Sequence, residues 1–343
     1  MRLKFLLFGL FPCWVTLCGP AHAVVLQQKW QAGQRLNYDV AMDGSVNMKA
    51  PPDAAVFFAG VPLQAKVQVK SKTRLDTVSV DDAGVATLSP HLDQLNVTGT
   101  VLGQKGEFTL ANGKAALSIN GEPTDFAGAI DGKKLTDPPV TINISKSGHL
   151  ESLAAVPPTA PVVAIPGALP EPEQLATKVT KFINLWLTRT LPALWPDRDV
   201  QPGDTWTAQV VVPATATAPA APIGDFKFQY KGEELAGGHK LQHVVVAGQV
   251  VIDADSAAAL SAKAAKPGAP SALKGMHLTG AKQRVDGDLW FDADAGQLAK
   301  AVLNLHSHAD GTLPKAPDAT AEPTKPSAFD FDGVLQIQLR DAA

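Results

Sequence analysis

Two histidines in the last part of the chain have the spacing of a metal-ligand pair. His306 and His308 alternate with Ser307, and Asp310 continues the alternation. Alternate residues of a strand lie on the same side of a sheet, and imidazole and carboxylate groups are common zinc ligands. His306, His308 and Asp310 are therefore the candidate ligands of a metal-dependent hydrolase. A solvated strand face explains the two histidines more simply, and a complete site needs a third ligand and supporting hydrogen bonds. We expect no metal and no cofactor.

Two catalytic motifs have partial matches here. The histidine pair resembles the His-x-His-x-Asp core of metallo-β-lactamase-type hydrolases, but Gly311 stands where that pattern has another histidine. The segment 329–334 resembles the nucleophile motif of haloacid-dehalogenase-type phosphatases, with Asp330 and Asp332 as its two carboxylates. That chemistry needs an early parallel strand of an α/β domain. The apolar alternation after the motif predicts an antiparallel strand instead (Leu335, Ile337, Leu339). We predict no catalytic residue and no enzyme activity.

One predicted strand carries a row of cations. Lys66, Lys70, Lys72 and Arg74 lie at alternate positions with Gln68 and so share one face, opposite Val67, Val69 and Leu75. An anionic ligand or a lipid headgroup fits such a row. More often such a row is simply the solvated face of a strand, where lysines also discourage edge-to-edge pairing.

The first 23 residues have the pattern of a signal peptide. Arg2 and Lys4 precede an apolar run from residue 5 to about 17, and Ala21 and Ala23 give a small-x-small cleavage site. We therefore expect cleavage after Ala23 and a secreted or periplasmic protein. No later apolar run is long enough to span a membrane as a helix.

Removal of this segment changes the cysteine content and the net charge of the mature protein. Cys13 and Cys18 are the only cysteines of the chain and both lie within it, so thiol chemistry and disulfides are excluded from the mature protein. Of 30 basic residues, Arg2 and Lys4 are lost, which leaves 28 against 33 acidic residues and a net charge of −5. This balance argues against nucleic acid as a partner.

Apolar residues alternate with polar ones in most of the chain, as in Phe226, Phe228 and Tyr230. Glycine-containing turns separate these runs. The sequence therefore predicts a mainly β protein of antiparallel strands, α+β at most. Two related β modules are expected, at 24–153 and 192–343.

A single amphipathic helix is predicted over 173–191, after a Pro/Ala-rich linker over 154–172. Its apolar face would cover the open side of a sheet. An apolar groove between sheet and helix would be lined by Phe182, Trp186, Phe226 and Phe228.

A resemblance supports the division into two modules. Gly203-Asp204-Thr205-Trp206 opens the second half, and Gly287 to Asp292 is followed by Gly296-Gln297-Leu298. The chain resembles uncharacterised exported bacterial proteins, a domain-of-unknown-function group with a duplicated β module and a Gly-Asp-x-Trp motif. The resemblance implies a fold and an exported location, and it transfers no catalytic residue.

These observations predict an exported, non-catalytic binding or structural protein of the bacterial cell envelope. Its partner would be an envelope protein or a small hydrophobic ligand. The alternatives are a carrier of a hydrophobic or lipid-like ligand in the groove, and the metal-dependent hydrolase described above.

Overall fold

The fold is known from a computed structural model, which describes residues 23–49, 63–101, 103–124, 140–148, 150–155, 195–212, 221–236, 238–252, 277–312 and 327–340. Within these ranges the chain forms fourteen strands: β1 (Arg35–Lys49), β2 (Leu63–Val80), β3 (Ala86–Val101), β4 (Gln104–Ala111), β5 (Lys114–Ile119), β6 (Glu122–Pro123), β7 (Val140–Ile144), β8 (Leu150–Ala155), β9 (Thr205–Val212), β10 (Ala221–Ala236), β11 (His239–Ile252), β12 (His277–Asp292), β13 (Gln297–Thr312) and β14 (Ser327–Arg340).

All fourteen strands belong to one sheet. The main order is β6-β5-β4-β3-β2-β1-β14-β13-β12-β11-β10-β9, and the β7–β8 hairpin branches from β3. Every pairing is antiparallel, and nearly all of them join strands that follow each other in the chain. The exceptions are β3 with β7 and β1 with β14. The β1–β14 pairing joins the two halves from Asn37↔Arg340 to Lys49↔Ala328.

The alternation of the sequence separates the sheet into an apolar face and a polar face. On β13, Ala301, Leu303 and Leu305 are at most 2% exposed, whereas His306 and His308 lie on the opposite face. The same period holds on neighbouring strands, so buried residues form continuous rows across the sheet. The main core combines these rows with two non-strand segments.

Those segments are 23–30 and 195–200, which lie against one end of the apolar face. Val24 and Val200 exchange backbone hydrogen bonds of 2.9 Å in both directions. Leu26 is fully buried, and the Trp195 ring lies 4.5 Å from the ring of Phe291. The main core therefore depends on residues distant in sequence from the strands they cover.

Polar turn residues end the strands as predicted. Asp81 accepts hydrogen bonds from the backbone N–H groups of Ala83 and Val85, at 3.0 and 2.8 Å, in the β2–β3 turn. In the β4–β5 turn, Asn112 and Gly113 both have positive φ, at 53° and 68°. This combination matches the two-residue hairpin turn that suits the twist of antiparallel strands.

The prediction of a mainly β, antiparallel fold is confirmed. The described strands of both halves form one hydrogen-bonded sheet, and whether the halves arose by duplication stays a prediction. The predicted linker begins two residues early, because Ala154 and Ala155 still pair with β7. The helix predicted over 173–191 lies outside the described residues.

Candidate binding site on the polar face

The polar face of the sheet contains a broad depression of about 950 Å³. It crosses seven adjacent strands, from β5 to β13, and its lining is dominated by hydroxyl, amide and charged side chains. We call it the polar depression. Its lining is Asp43, Gly44, Ser45, Lys66, Val67, Gln68, Thr98, Gly99, Thr100, Lys105, Gly106, Glu107, Ser118, Gly121, Asn304, His306, Asp332, Gly333 and Val334.

A second pocket of about 540 Å³ lies further along the same strands and on the same face. Two lysines and several amides line it, and we call it the lysine pocket. Its lining is Asp39, Val40, Ala41, Lys70, Ser71, Lys72, Gln94, Leu95, Asn96, Thr109, Leu110, Ala111, Gln336 and Gln338.

A row of glycines crosses the sheet at the polar depression. Gly106, Gly99, Gly44 and Gly333 stand in register on β4, β3, β1 and β14, with Val67 of β2 between them. By alternation these residues belong to the apolar face, where the ring of Phe331 covers two of them. A Cβ at Gly44 would lie 2.5 Å from Cε2 of Phe331, and one at Gly333 would lie 2.7 Å from its Cζ. Gly44 and Gly333 therefore leave room for the Phe331 ring on the apolar face.

The carboxylates that line these two pockets all have partners. Gln68 donates to Asp43 at 2.5 Å, and Asn96 donates to Glu107 at 3.0 Å. The nearest atoms of Asp39 and Arg340 are 3.0 Å apart, and Asp332 is 2.7 Å from Nδ1 of His306. Each carboxylate is thus held by a neighbouring strand.

The lysines of the two pockets are arranged differently. Lys66, Lys70 and Lys72 of β2 and Lys105 of β4 line the pockets. None of their ammonium groups makes an ion pair or hydrogen bond with any residue that the structure describes. The predicted row of cations therefore lies on one polar face. Its fourth member, Arg74, is bound by Asp76 and Asp93 at 3.3 and 3.2 Å.

The predicted metal candidates also lie on this face. His306 pairs with Asp332, and His308 lies between Asp330, at 2.6 Å, and Asp310, at 3.3 Å. The hydrogen bond with Asp330 raises the pKa of His308. In the described part of the chain, no group of three such side chains is placed to hold a metal ion. The arrangement is a cross-strand ladder of imidazole–carboxylate pairs.

Sequence reasoning took the histidine motif and the Asp330–Asp332 motif separately, and it missed that they face each other. The two motifs occupy consecutive antiparallel strands, with His306 opposite Asp332 and His308 opposite Asp330. Both motifs alternate with period two, which is the signal that could have linked them. Opposite charges directly across a strand pair stabilise a sheet modestly.

The groove candidates fall on the apolar face, opposite the polar depression. Phe228 is 5% exposed and stacks on Trp206 at 5.3 Å, so it is part of the packed core. Phe226 is partly buried, and its ring covers Gly248. Phe182 and Trp186 lie outside the described residues.

The motif that opens the second half has a structural role. Gly203 has a φ of 97°, and its N–H donates to the carbonyl of Tyr230 at 2.8 Å. Asp204 accepts from the N–H of Gln201 at 3.0 Å and from Arg198 at 2.9 Å, and these bonds lower its pKa. The motif thus fixes the turn that leads into β9.

Hydrogen bonds close the turn between β12 and β13. Asp292 accepts a hydrogen bond from the N–H of Ala295 at 2.8 Å. The ammonium of Lys29 donates to the carbonyls of Ala293 and Asp294, at 2.8 and 3.1 Å. The ammonium of Lys29 therefore binds two of the carbonyl oxygens of this turn.

No protein-family model matches the chain, and no curated protein sequence matches it. Among solved structures, a lipovitellin structure concerned with lipid–protein interactions aligns over 91% of this chain and 25% of its own, with a TM-score of 0.42 and 10% identity. The outer membrane protein OprG from Pseudomonas aeruginosa aligns over 93% and 100%, with a TM-score of 0.18 and 9% identity. OccK7 (OpdD) from the same organism aligns over 90% and 99%, with a TM-score of 0.19 and 6% identity.

This chain thus corresponds to a quarter of the lipovitellin chain. The TM-scores are too low for the function of these proteins to be transferred. Across the described ranges, no helix has the length and apolar character needed to cross a membrane.

Proposed function

We propose that the protein is an exported, non-catalytic binding protein of the bacterial cell envelope, and that its ligand binds in the polar depression. The observation that carries this proposal is the volume of the polar depression together with the side chains that line it. About 950 Å³ is enough for a small organic ligand or a short polymer segment. Side chains from seven neighbouring strands line it, and a sheet this extensive holds them in fixed positions.

Binding fits the state of these side chains better than catalysis. Catalytic groups act where water is excluded, because electrostatic interactions are stronger there. The imidazole of His306 is 54% exposed and the carboxylate of Asp332 that binds it is 58% exposed. Side chains that are this exposed to solvent, and that each have a cross-strand partner, are suited to the recognition of a polar ligand.

The location part of the proposal depends on the sequence. The segment up to Ala23 has the pattern of a cleavable signal peptide. The absence of cysteine after residue 18 is compatible with a compartment of any redox state. N-terminal sequencing of the protein recovered from the periplasm or medium should begin at Val24, and a retained segment 1–23 in a cytoplasmic product would contradict export.

The binding proposal is tested by filling the polar depression. The chain from Val24 is mixed in turn with lipid, polysaccharide and peptide fractions of an envelope extract, and its thermal denaturation midpoint is measured. A ligand that binds the folded state raises the midpoint. We expect one fraction to do so, and we expect Ser45→Trp to abolish the effect because Ser45 lines the polar depression.

Ser79→Trp is the matched control, since Ser79 is an exposed residue of β2 outside both pockets. It should retain the full shift. If no fraction stabilises the unsubstituted protein, or if the two tryptophan variants respond alike, the polar depression is not the binding site.

A further inference from the structure

The lysine pocket has an excess of positive charge that nothing described in the structure compensates. Lys70 and Lys72 line it, and their ammonium groups have no partner among the described residues. One carboxylate, Asp39, also lines the pocket, but it is already 3.0 Å from the guanidinium of Arg340. Among the described residues, two ammonium groups without a partner therefore face a pocket whose one carboxylate is already paired with Arg340.

The geometry of these lysines suits one anionic group. They are two residues apart on one face of β2, so their Cα atoms are separated by about 7 Å. Two long ammonium side chains at that separation can both reach a carboxylate or phosphate, and charge-assisted hydrogen bonds to such groups are strong. The amides of Gln94 and Gln336 line the same pocket and offer further donors.

The adjoining polar depression has a different chemistry. Its lining is rich in hydroxyl and amide groups, such as Ser45, Gln68, Thr98, Thr100 and Asn304. Groups that both donate and accept hydrogen bonds match a ligand with many hydroxyls. The two pockets are neighbours along β1 to β4 and β14, so one extended ligand can enter both.

We propose that the ligand is an acidic oligosaccharide, whose carboxylate or phosphate binds Lys70 and Lys72 and whose hydroxyls bind the polar depression. This inference rests on the proposed function and names the ligand class for the same site. Hydrogen bonds and ion pairs, rather than stacking on aromatic rings, would hold the sugar, because the described lining of both pockets contains no tryptophan, tyrosine or phenylalanine.

The test is isothermal titration of the chain from Val24 with three probes: tetragalacturonate, maltotetraose and inorganic phosphate. Tetragalacturonate carries both carboxylates and hydroxyls, maltotetraose only hydroxyls, and phosphate only charge. We expect tetragalacturonate to bind at least about tenfold more tightly than either of the other two, and to weaken as salt is raised. The double variant Lys70→Gln/Lys72→Gln should lose about tenfold or more of that affinity.

Lys227→Gln/Lys282→Gln is the matched control, with the same change of net charge at two exposed lysines outside both pockets. It should bind tetragalacturonate as the unsubstituted protein does. Equal loss in both double variants means non-specific attraction and overturns the inference. Phosphate that binds as tightly as tetragalacturonate overturns the role of the hydroxyls, and maltotetraose that does so overturns the role of the lysines.

Failure of this inference is distinguishable from failure of the proposed function. If none of the three probes binds, the oligosaccharide class is wrong. The response of the Ser45→Trp and Ser79→Trp variants to envelope fractions still decides whether the polar depression binds anything. A lipid fraction that acts through the polar depression would support the proposed function and refute the saccharide.

Discussion

The glycine row makes a sharp prediction about stability at Gly44. Replacement by alanine places a Cβ 2.5 Å from Cε2 and 2.7 Å from Cζ of Phe331. Carbon atoms in contact are normally 3.5–4.0 Å apart, so the ring must move by about 1 Å. The ring already lies closely over Gly333, where an added Cβ would be 2.7 Å from its Cζ, so little space remains on that side. The Phe331 ring is therefore closely packed over both Gly44 and Gly333.

The magnitude follows from two opposing effects. Overpacking of this kind costs about 1–3 kcal/mol. Alanine also restricts the unfolded chain, which stabilises the fold by about 0.4–1 kcal/mol where the native backbone tolerates it. We therefore expect Gly44→Ala to lower the free energy of unfolding by about 1–2 kcal/mol.

The assay is urea denaturation followed by tryptophan fluorescence. Gly106→Ala is the control, because Gly106 belongs to the same row and a Cβ there would have no atom within 4 Å. It should be neutral or slightly stabilising. In a Phe331→Ala background, where the ring is gone, Gly44→Ala should lose its cost, so the two changes should be coupled by about 1–3 kcal/mol.

Two results would refute this reasoning. One is an equal cost at Gly44 and Gly106, which would point to a general intolerance of side chains along the row. The other is additivity of Gly44→Ala and Phe331→Ala, which would separate the cost from the ring.

Two further predictions concern the core and the histidine ladder. Phe291→Ala should lower the free energy of unfolding by about 3–5 kcal/mol in the same assay, because the ring is fully buried against Trp195; a cost below about 1 kcal/mol would contradict this packing. The raised pKa of His308 predicts that its pair with Asp330 stabilises the fold at pH values below the unfolded pKa of about 6.5, and that this contribution disappears as pH rises through the higher folded value. An NMR titration of the imidazole should therefore give a pKa that falls when Asp330 is replaced by Asn, and an unchanged pKa would show that the pair is not formed in solution.

Much of the fold could be predicted because strand periodicity is local. The alternation in residues 226–230 and 335–339 identified buried and solvated faces before any partner strand was known, and glycine-containing turns marked where strands end. Where consecutive strands form hairpins, each strand pairs with the next one in the chain, so these pairings follow from the order of the strands. The pairing of β1 with β14 does not, because no short-range signal connects residues about 300 positions apart in the chain.

The candidate site was harder to predict, because most of the residues that line it belong to no recognisable sequence motif for binding. In the sequence, Lys70 and Lys72 resemble the solvent-exposed residues of any strand. Only the structure shows that the nearby carboxylate of Asp39 is already paired with Arg340. Likewise, His306 resembles a metal ligand until Asp332 is found opposite. What the sequence lacked was the register across strands, which decides which charges are already satisfied.

The β1–β14 pairing has a consequence for how the protein is made. The seam at the middle of the sheet joins β1 to β14, so it forms only after β14 has been synthesised. Until then, β1 and β13 each present a long unpaired edge, which is the kind of edge that recruits other chains. A product that ends before Ser327 keeps both edges open and has two half-sheets with no common centre. Because β14 covers both edges, we expect a chain that lacks this strand to aggregate more readily than the chain that contains it.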